Sequence, residues 1–127
     1  MNKYFVGYVT LPTISSVTDT QARKLTHLNL AFAPMKDGET FMELNDRQLL
    51  EIARLRRANP RLAILVSTGG GGDRGHGEAT STPEGLDRLT ASTIRLVEKY
   101  DLDGIDCDWE FPGDTRQYKV TSNTRSV

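Results

Sequence analysis

Two runs of strand length constrain this chain most: residues 28–33 (LNLAFA) and 62–66 (LAILV), with one strong helical segment between them. Strands apolar on both faces must be covered on both, which in soluble folds means a parallel sheet with helices packed against it. The helical segment covers residues 45–59. Asn45 is a good cap, Leu49, Ile52, Ala53 and Leu55 recur at helical spacing, and Arg56 and Arg57 suit the last turn before Pro60. The pattern is α/β with right-handed crossovers.

The rest of the chain extends the alternation. Residues 4–9 are aromatic and β-branched and read as a first strand. A Ser/Thr-rich loop follows, then a brief helix over 19–24 capped by Thr18 or Asp19. Residues 35–39 read as a turn. Beyond Val66 a Gly-rich loop runs to Thr80, and residues 81–84 (STPE) open a second long helix with a capping box. Leu86, Leu89, Ile94, Leu96 and Val97 supply its apolar positions, and it ends near Tyr100. A fourth strand follows, and residues 114–127 read as loop or frayed tail. No repeat or linker divides the chain. An open doubly wound sheet and part of a (β/α)8 barrel both fit this order.

The fourth strand is unusual. Residues 103–112 (DGIDCDWEFP) place Asp103, Asp106, Asp108 and Glu110 among apolar and aromatic side chains. On a strand, Asp106, Asp108 and Glu110 share one face, spanning about 13 Å at roughly 3.3 Å per residue, while Ile105, Cys107 and Trp109 share the other. Such a ladder repels itself, so the carboxyls should titrate as a coupled group with at least one pKa raised. Glu110 comes last, at the C-terminal end, where α/β folds expose their sites. A carboxylic acid kept protonated near neutral pH suits glycosidic-bond cleavage. An Asp-x-Asp pair binding Mg²⁺ or Mn²⁺ and a solvated acidic turn are the other readings of the spacing.

Composition excludes other classes. With 16 basic and 17 acidic residues the net charge is −1, which gives no electrostatic case for nucleic acid or an anionic membrane. No apolar stretch approaches a membrane span, and the opening residues lack the form of a signal peptide. The single cysteine, Cys107, excludes an internal disulfide and reads as a small core residue.

The segment 103–110 (DGIDCDWE) resembles the signature of glycoside hydrolase family 18, Asp-Gly-apolar-Asp-apolar-Asp-x-Glu. Ser67-Thr68-Gly69-Gly70 resembles that family's Ser-x-Gly-Gly pattern, residues 26–33 (THLNLAFA) its second strand, and Gly7-Tyr8 the end of its first. The resemblance implies the first four β/α units of a (β/α)8 barrel over residues 1–113. It also implies a retaining, chitinase-type hydrolase of β-1,4-linked N-acetylglucosamine, with no cofactor and no metal.

By the same resemblance, Glu110 is the general acid and base. Asp108 orients the substrate's 2-acetamido group, which serves as the nucleophile, and Asp106 shares a proton with Asp108. Asp103, of opposite strand parity to Asp106, takes a structural role. Tyr8 and Phe32 are expected on the floor of the sugar site or in the barrel core. Gly69 and Gly70 let backbone approach the carboxylates or substrate. Three positions depart from the pattern: Cys107 replaces a larger apolar residue, Gly71 a common Trp, and Phe111 a common Tyr.

A full barrel needs about 250 residues, so 127 residues ending after a fourth strand imply a truncated chain with little or no hydrolytic activity. The alternative is a lectin-like protein that binds chitin oligosaccharides without cleaving them. An unclosed half-barrel also has a physical reason to self-associate. Family resemblance makes an extracellular location plausible.

Overall fold

The parallel sheet expected from the apolar runs is present. The computed structural model describes residues 2–73, 75–110 and 112. In chain order these form β1 (Val6–Thr10), α1 (Asp19–Lys24), β2 (His27–Ala33), β3 (Met35–Lys36), β4 (Glu39–Thr40) and α2 (Asp46–Ala58). There follow β5 (Ala63–Gly69), α3 (Gly75–Ala79), α4 (Pro83–Lys99) and β6 (Gly104–Asp108). Four strands make one parallel sheet in the order β1-β2-β5-β6. Residues 114–127 and Phe111 lie outside the described residues, and with them the expected tail and the departure at Phe111.

Helix ends follow local chemistry. Thr18 caps α1 and Asn45 caps α2, each in a reciprocal box with Gln21 or Gln48. The start of α4 differs from expectation: Thr82 is the cap, accepting from the Gly85 N–H, with Pro83 in the first turn. Moving the cap from Ser81 to Thr82 puts Gly85 where a reciprocating Glu would stand, so there is no box. A side chain could not replace Gly85, since a Cβ would overlap the Ala79 carbonyl oxygen.

Other segments are more ordered than their composition suggests. Residues 35–40 are a hairpin rather than a plain turn, with Met35 paired to Thr40 and Lys36 to Glu39. Asp37 and Gly38 both adopt positive φ at its tip. The hairpin is tied to α4 by the Thr40 N–H donating to Ser92 Oγ at 3.0 Å and by Thr40 Oγ1 and Thr93 Oγ1 at 2.7 Å. That tie explains why α4 buries Leu89, Ser92, Thr93 and Leu96, while Leu86 and Ile94 stay exposed. The loop after β1 winds into a 3-10 helix, Leu11–Ser16, and the Gly-rich loop contains α3.

Among the described residues the main apolar cluster lies between the sheet and its helices. Leu28, Leu30, Ile64 and Val66 point outward from the strands onto Ile52 and Leu55 of α2, Leu96 of α4, and Ile14 and Val17. Asp103 closes this layer at the start of β6: its Oδ2 accepts from the Ile64 N–H at 2.7 Å and pairs with Arg56 at 3.1 Å. Its role is structural, as its parity predicts.

Candidate functional site

Parallel register sets the other face. Laterally paired residues point the same way, so Ser67 stands beside Asp106 and Gly69 beside Asp108. Asp106 Oδ2 accepts from the Tyr8 hydroxyl at 2.9 Å and from Ser67 Oγ at 2.7 Å. Donors from β1 and β5 thus converge on a carboxylate of β6. The Asn29 amide near the Tyr8 phenol acts to lower its pKa. The Asp106 hydrogen bond, burial and the charges of Asp106 and Asp108 outweigh that effect, and the phenol pKa lies above its ordinary value.

Strand β6 ends at Asp108, so strict alternation covers Asp106 and Asp108 only, and Glu110 follows in the next turn of chain. Glu110 nevertheless joins the group. Its carboxyl hydrogen-bonds Asp108, and that bond, the Asp108 charge and desolvation together raise the Glu110 pKa. The bond favours the protonated acid because a carboxylate neighbour accepts its proton. Two hydrogen-bonded units therefore stand in line: Tyr8–Asp106–Ser67 toward the strand's middle, and Asp108–Glu110 at its end.

The turn after β5 builds the wall beside Glu110. Gly69 and Gly70 have φ of 90° and 91°, a region that favours glycine. A Cβ on Gly69 would overlap the Asp108 carbonyl oxygen and come within 2.6 Å of His76 Cε1. One on Gly70 would meet the Phe32 ring at 3.2 Å, and one on Gly71 would lie 3.3 Å from Glu110 Oε2. The Gly70 N–H donates to the Asp108 carbonyl at 2.8 Å and locks the two strand ends together. An open cleft of about 530 Å³ lies here, lined by Phe32, Pro34, Met35, Asp73 and the glycine run. A second groove, about 730 Å³, runs along the inner face past Tyr8, Asn29 and Asp106.

Of the residues singled out in the sequence, Asp106, Asp108 and Glu110 lie together, Gly69 and Gly70 border them, and Phe32 forms the cleft wall against Gly70. Phe32 sits where β2 slips register between Ala31 and Ala33, which turns its ring to the strand mouth. Tyr8 is 58% exposed, and its hydroxyl engages Asp106. Cys107 is exposed and not the core residue expected: it lines an apolar groove against α4 on the helix side. Sequence reasoning missed Ser67, Asn29 and His76 as neighbours of the carboxylates. The lateral register of Ser67 with Asp106 was the available signal for the first.

No group of three or more His, Cys, Asp or Glu among the described residues is placed to hold a metal ion. No helix there is long and apolar enough to cross a membrane.

Residues 4–123 match the family model described as glycosyl hydrolases family 18. Chitinase B of Serratia marcescens is 30% identical over 114 residues, covering 78% of this chain and 23% of that protein. Among solved structures, a family 18 N-acetylglucosaminidase from Paenibacillus barengoltzii is 36% identical with a TM-score of 0.81, over 91% of this chain and 34% of that one. A Cycas revoluta chitinase in complex with (GlcNAc)3 is 26% identical with a TM-score of 0.72, over 88% and 35%. These neighbours are (β/α)8 barrels, of which the four parallel strands cover a part.

Proposed function

Because this chain belongs to the glycosyl hydrolases of family 18, we propose that it carries the acid-bearing part of a retaining glycosidase for β-1,4-linked N-acetylglucosamine. The observation that carries the reading is the Glu110 carboxyl, whose pKa Asp108 raises, beside the Gly71 backbone that lines an open cleft. Protonated Glu110 donates to the glycosidic oxygen as the bond to the anomeric carbon breaks. The substrate's 2-acetamido oxygen attacks from the opposite face, and Asp108 accepts from the acetamide N–H, orienting that oxygen and stabilising the positive charge that develops. Glu110, now a carboxylate, takes a proton from the water that opens the intermediate, and configuration is retained.

Asp106 serves this pair from behind. With Tyr8 and Ser67 both donating to one of its oxygens, it is fixed in place two residues before Asp108. Phe32 and the Gly69–Gly72 run offer an apolar wall and bare backbone to a sugar ring. The (GlcNAc)3 complex of the Cycas revoluta relative supports the ligand class. The reading takes residues 1–113 as part of the catalytic domain.

β1 and β6 are both sheet edges among the described residues, and Tyr4, Val6, Tyr8 and Ile105 are exposed. We accordingly propose weak turnover by the 127 residues alone, with self-association through this open side. Hydrolysis of a fluorogenic diacetylchitobioside by the wild-type chain and Glu110→Gln, with calorimetric binding of chitotriose, tests the reading. Slow turnover that falls about 10²–10⁴-fold in Glu110→Gln is expected. Unchanged turnover removes Glu110 from its role, and binding with no turnover in either chain favours a binding protein.

A further inference from the structure

His76 is a buried titratable group that the proposed reaction does not use. It is 4% exposed, in the short helix α3. Its Nε2 lies 3.4 Å from Thr68 Oγ1, and its Nδ1 has no hydrogen-bond partner among the described residues. The ring packs so closely on the backbone of Gly69 that no Cβ fits between them. Its other face stacks on the Trp109 indole, with centroids 5.8 Å apart and planes 17° from parallel. That distance is within the range of favourable aromatic pairs. Trp109 is the residue between Asp108 and Glu110. The imidazole is thus wedged between the fixed end of β5 and the segment that carries the carboxyl pair.

We propose that His76 is a positioning residue: neutral and buried, it holds the Trp109 indole and thereby sets Glu110 against Asp108, and its protonation releases that hold. A charged imidazolium in this place would need solvation that the packed ring cannot obtain. The protonated ring would draw toward the solvent or the nearby carboxylates and lose its stack on the indole. The groups that face it among the described residues are Asp73 of the loop after β5, Asp108 and Cys107 of β6, and Glu98 of α4 across the apolar groove; Glu78 lies two residues along its own helix.

Burial lowers the His76 pKa, and the Asp73 and Asp108 charges offset only part of that. The sign follows. A base with a depressed folded value is neutral at no cost above its unfolded pKa. A penalty accumulates as the pH falls from the unfolded value to the folded one. The carboxyl pair is therefore held most firmly at neutral pH and loosens in acid.

The inference rests on Asp108 and Glu110 being the working pair, but its test requires no turnover. Trp109 is the sole tryptophan, so indole emission comes from this residue and is sensitive to this contact. Emission is followed from about pH 8 to about pH 4.5, across the ordinary histidine range, in the wild type, His76→Phe and Glu110→Gln. The expected result is a transition with a midpoint below the ordinary histidine value, retained in Glu110→Gln and lost in His76→Phe. A transition that survives His76→Phe, or none in the wild type, overturns the proposal. Should His76→Phe fail to fold, the nitrogen NMR shifts of His76 in a His27→Gln chain read its protonation directly. An imidazole titrating at the ordinary value, or one whose titration leaves the Trp109 signals unmoved, overturns it equally. Loss of Glu110-dependent hydrolysis with this transition intact would strike the proposed function and leave the His76 contact standing.

Discussion

The two faces of the sheet are built from the same four strands and do opposite work. On the helix side, Leu28, Leu30, Ile64 and Val66 are at most 1% exposed and meet apolar side chains. On the inner side the same strands present Tyr8, Asn29, Ser67, Asp106 and Asp108, with Tyr8 and Ser67 hydrogen-bonded to Asp106 and an open groove alongside. One face removes apolar area from water, which is the main term in stability. The other gathers carboxyls that repel one another, a cost that function explains and stability does not. Period-two alternation lets the chain hold both without conflict.

The sharpest way to break this division is to cut into each face and compare. Leu30→Ala, on the helix side, is expected to destabilise by about 2–5 kcal/mol, read by chemical denaturation. Gly69→Ala comes next, at about 1–3 kcal/mol for the positive φ, with the overlap on Asp108 added. Unlike Leu30→Ala, it should also displace the carboxyls and shift the Trp109 emission. Tyr8→Phe, on the inner face, removes one hydrogen bond to Asp106 and should cost about 0.5–1.5 kcal/mol. A Tyr8→Phe loss as large as that of Leu30→Ala would end the distinction.

The smallest effect belongs to Glu110. Its folded pKa is raised, so its contribution to stability is present below the unfolded value and lost as pH rises through the folded one. At neutral pH, Glu110→Gln should leave the denaturation midpoint unchanged or slightly higher, while the wild type gains relative to it in acid. A destabilised Glu110→Gln chain at neutral pH would mean that Glu110 supports the fold.

Much of the helix-side face was legible because burial leaves a pattern in residue order. The runs 28–33 and 62–66, the Asn45 cap and the Pro60 stop all mark elements that the structure contains. The hairpin 35–40 was not legible: its pairing is held by Ser92 and Thr93, more than fifty positions away. The same contact reassigns the inner side of α4 from Leu86 and Ile94 to Ser92 and Thr93, which no apolar periodicity announces. On the inner face, the spacing of Asp106, Asp108 and Glu110 marked the cluster. Which carboxyl meets which partner depends on the order β1-β2-β5-β6 and its lateral register, and that became visible only in the assembled sheet. His76 gave no signal at all, because its burial comes from the Gly69 turn folding back upon it.

At the end of β6, Asp108 raises the pKa of the Glu110 carboxyl. Carbon NMR titration of the Glu110 side-chain carboxyl, in the wild type and in Asp108→Asn, measures it directly. The prediction is a Glu110 midpoint above the ordinary glutamate value in the wild type, falling back toward it when the Asp108 charge is removed. An ordinary midpoint in the wild type, or a raised one indifferent to Asp108→Asn, would contradict the claim that this pair is built to deliver an acid.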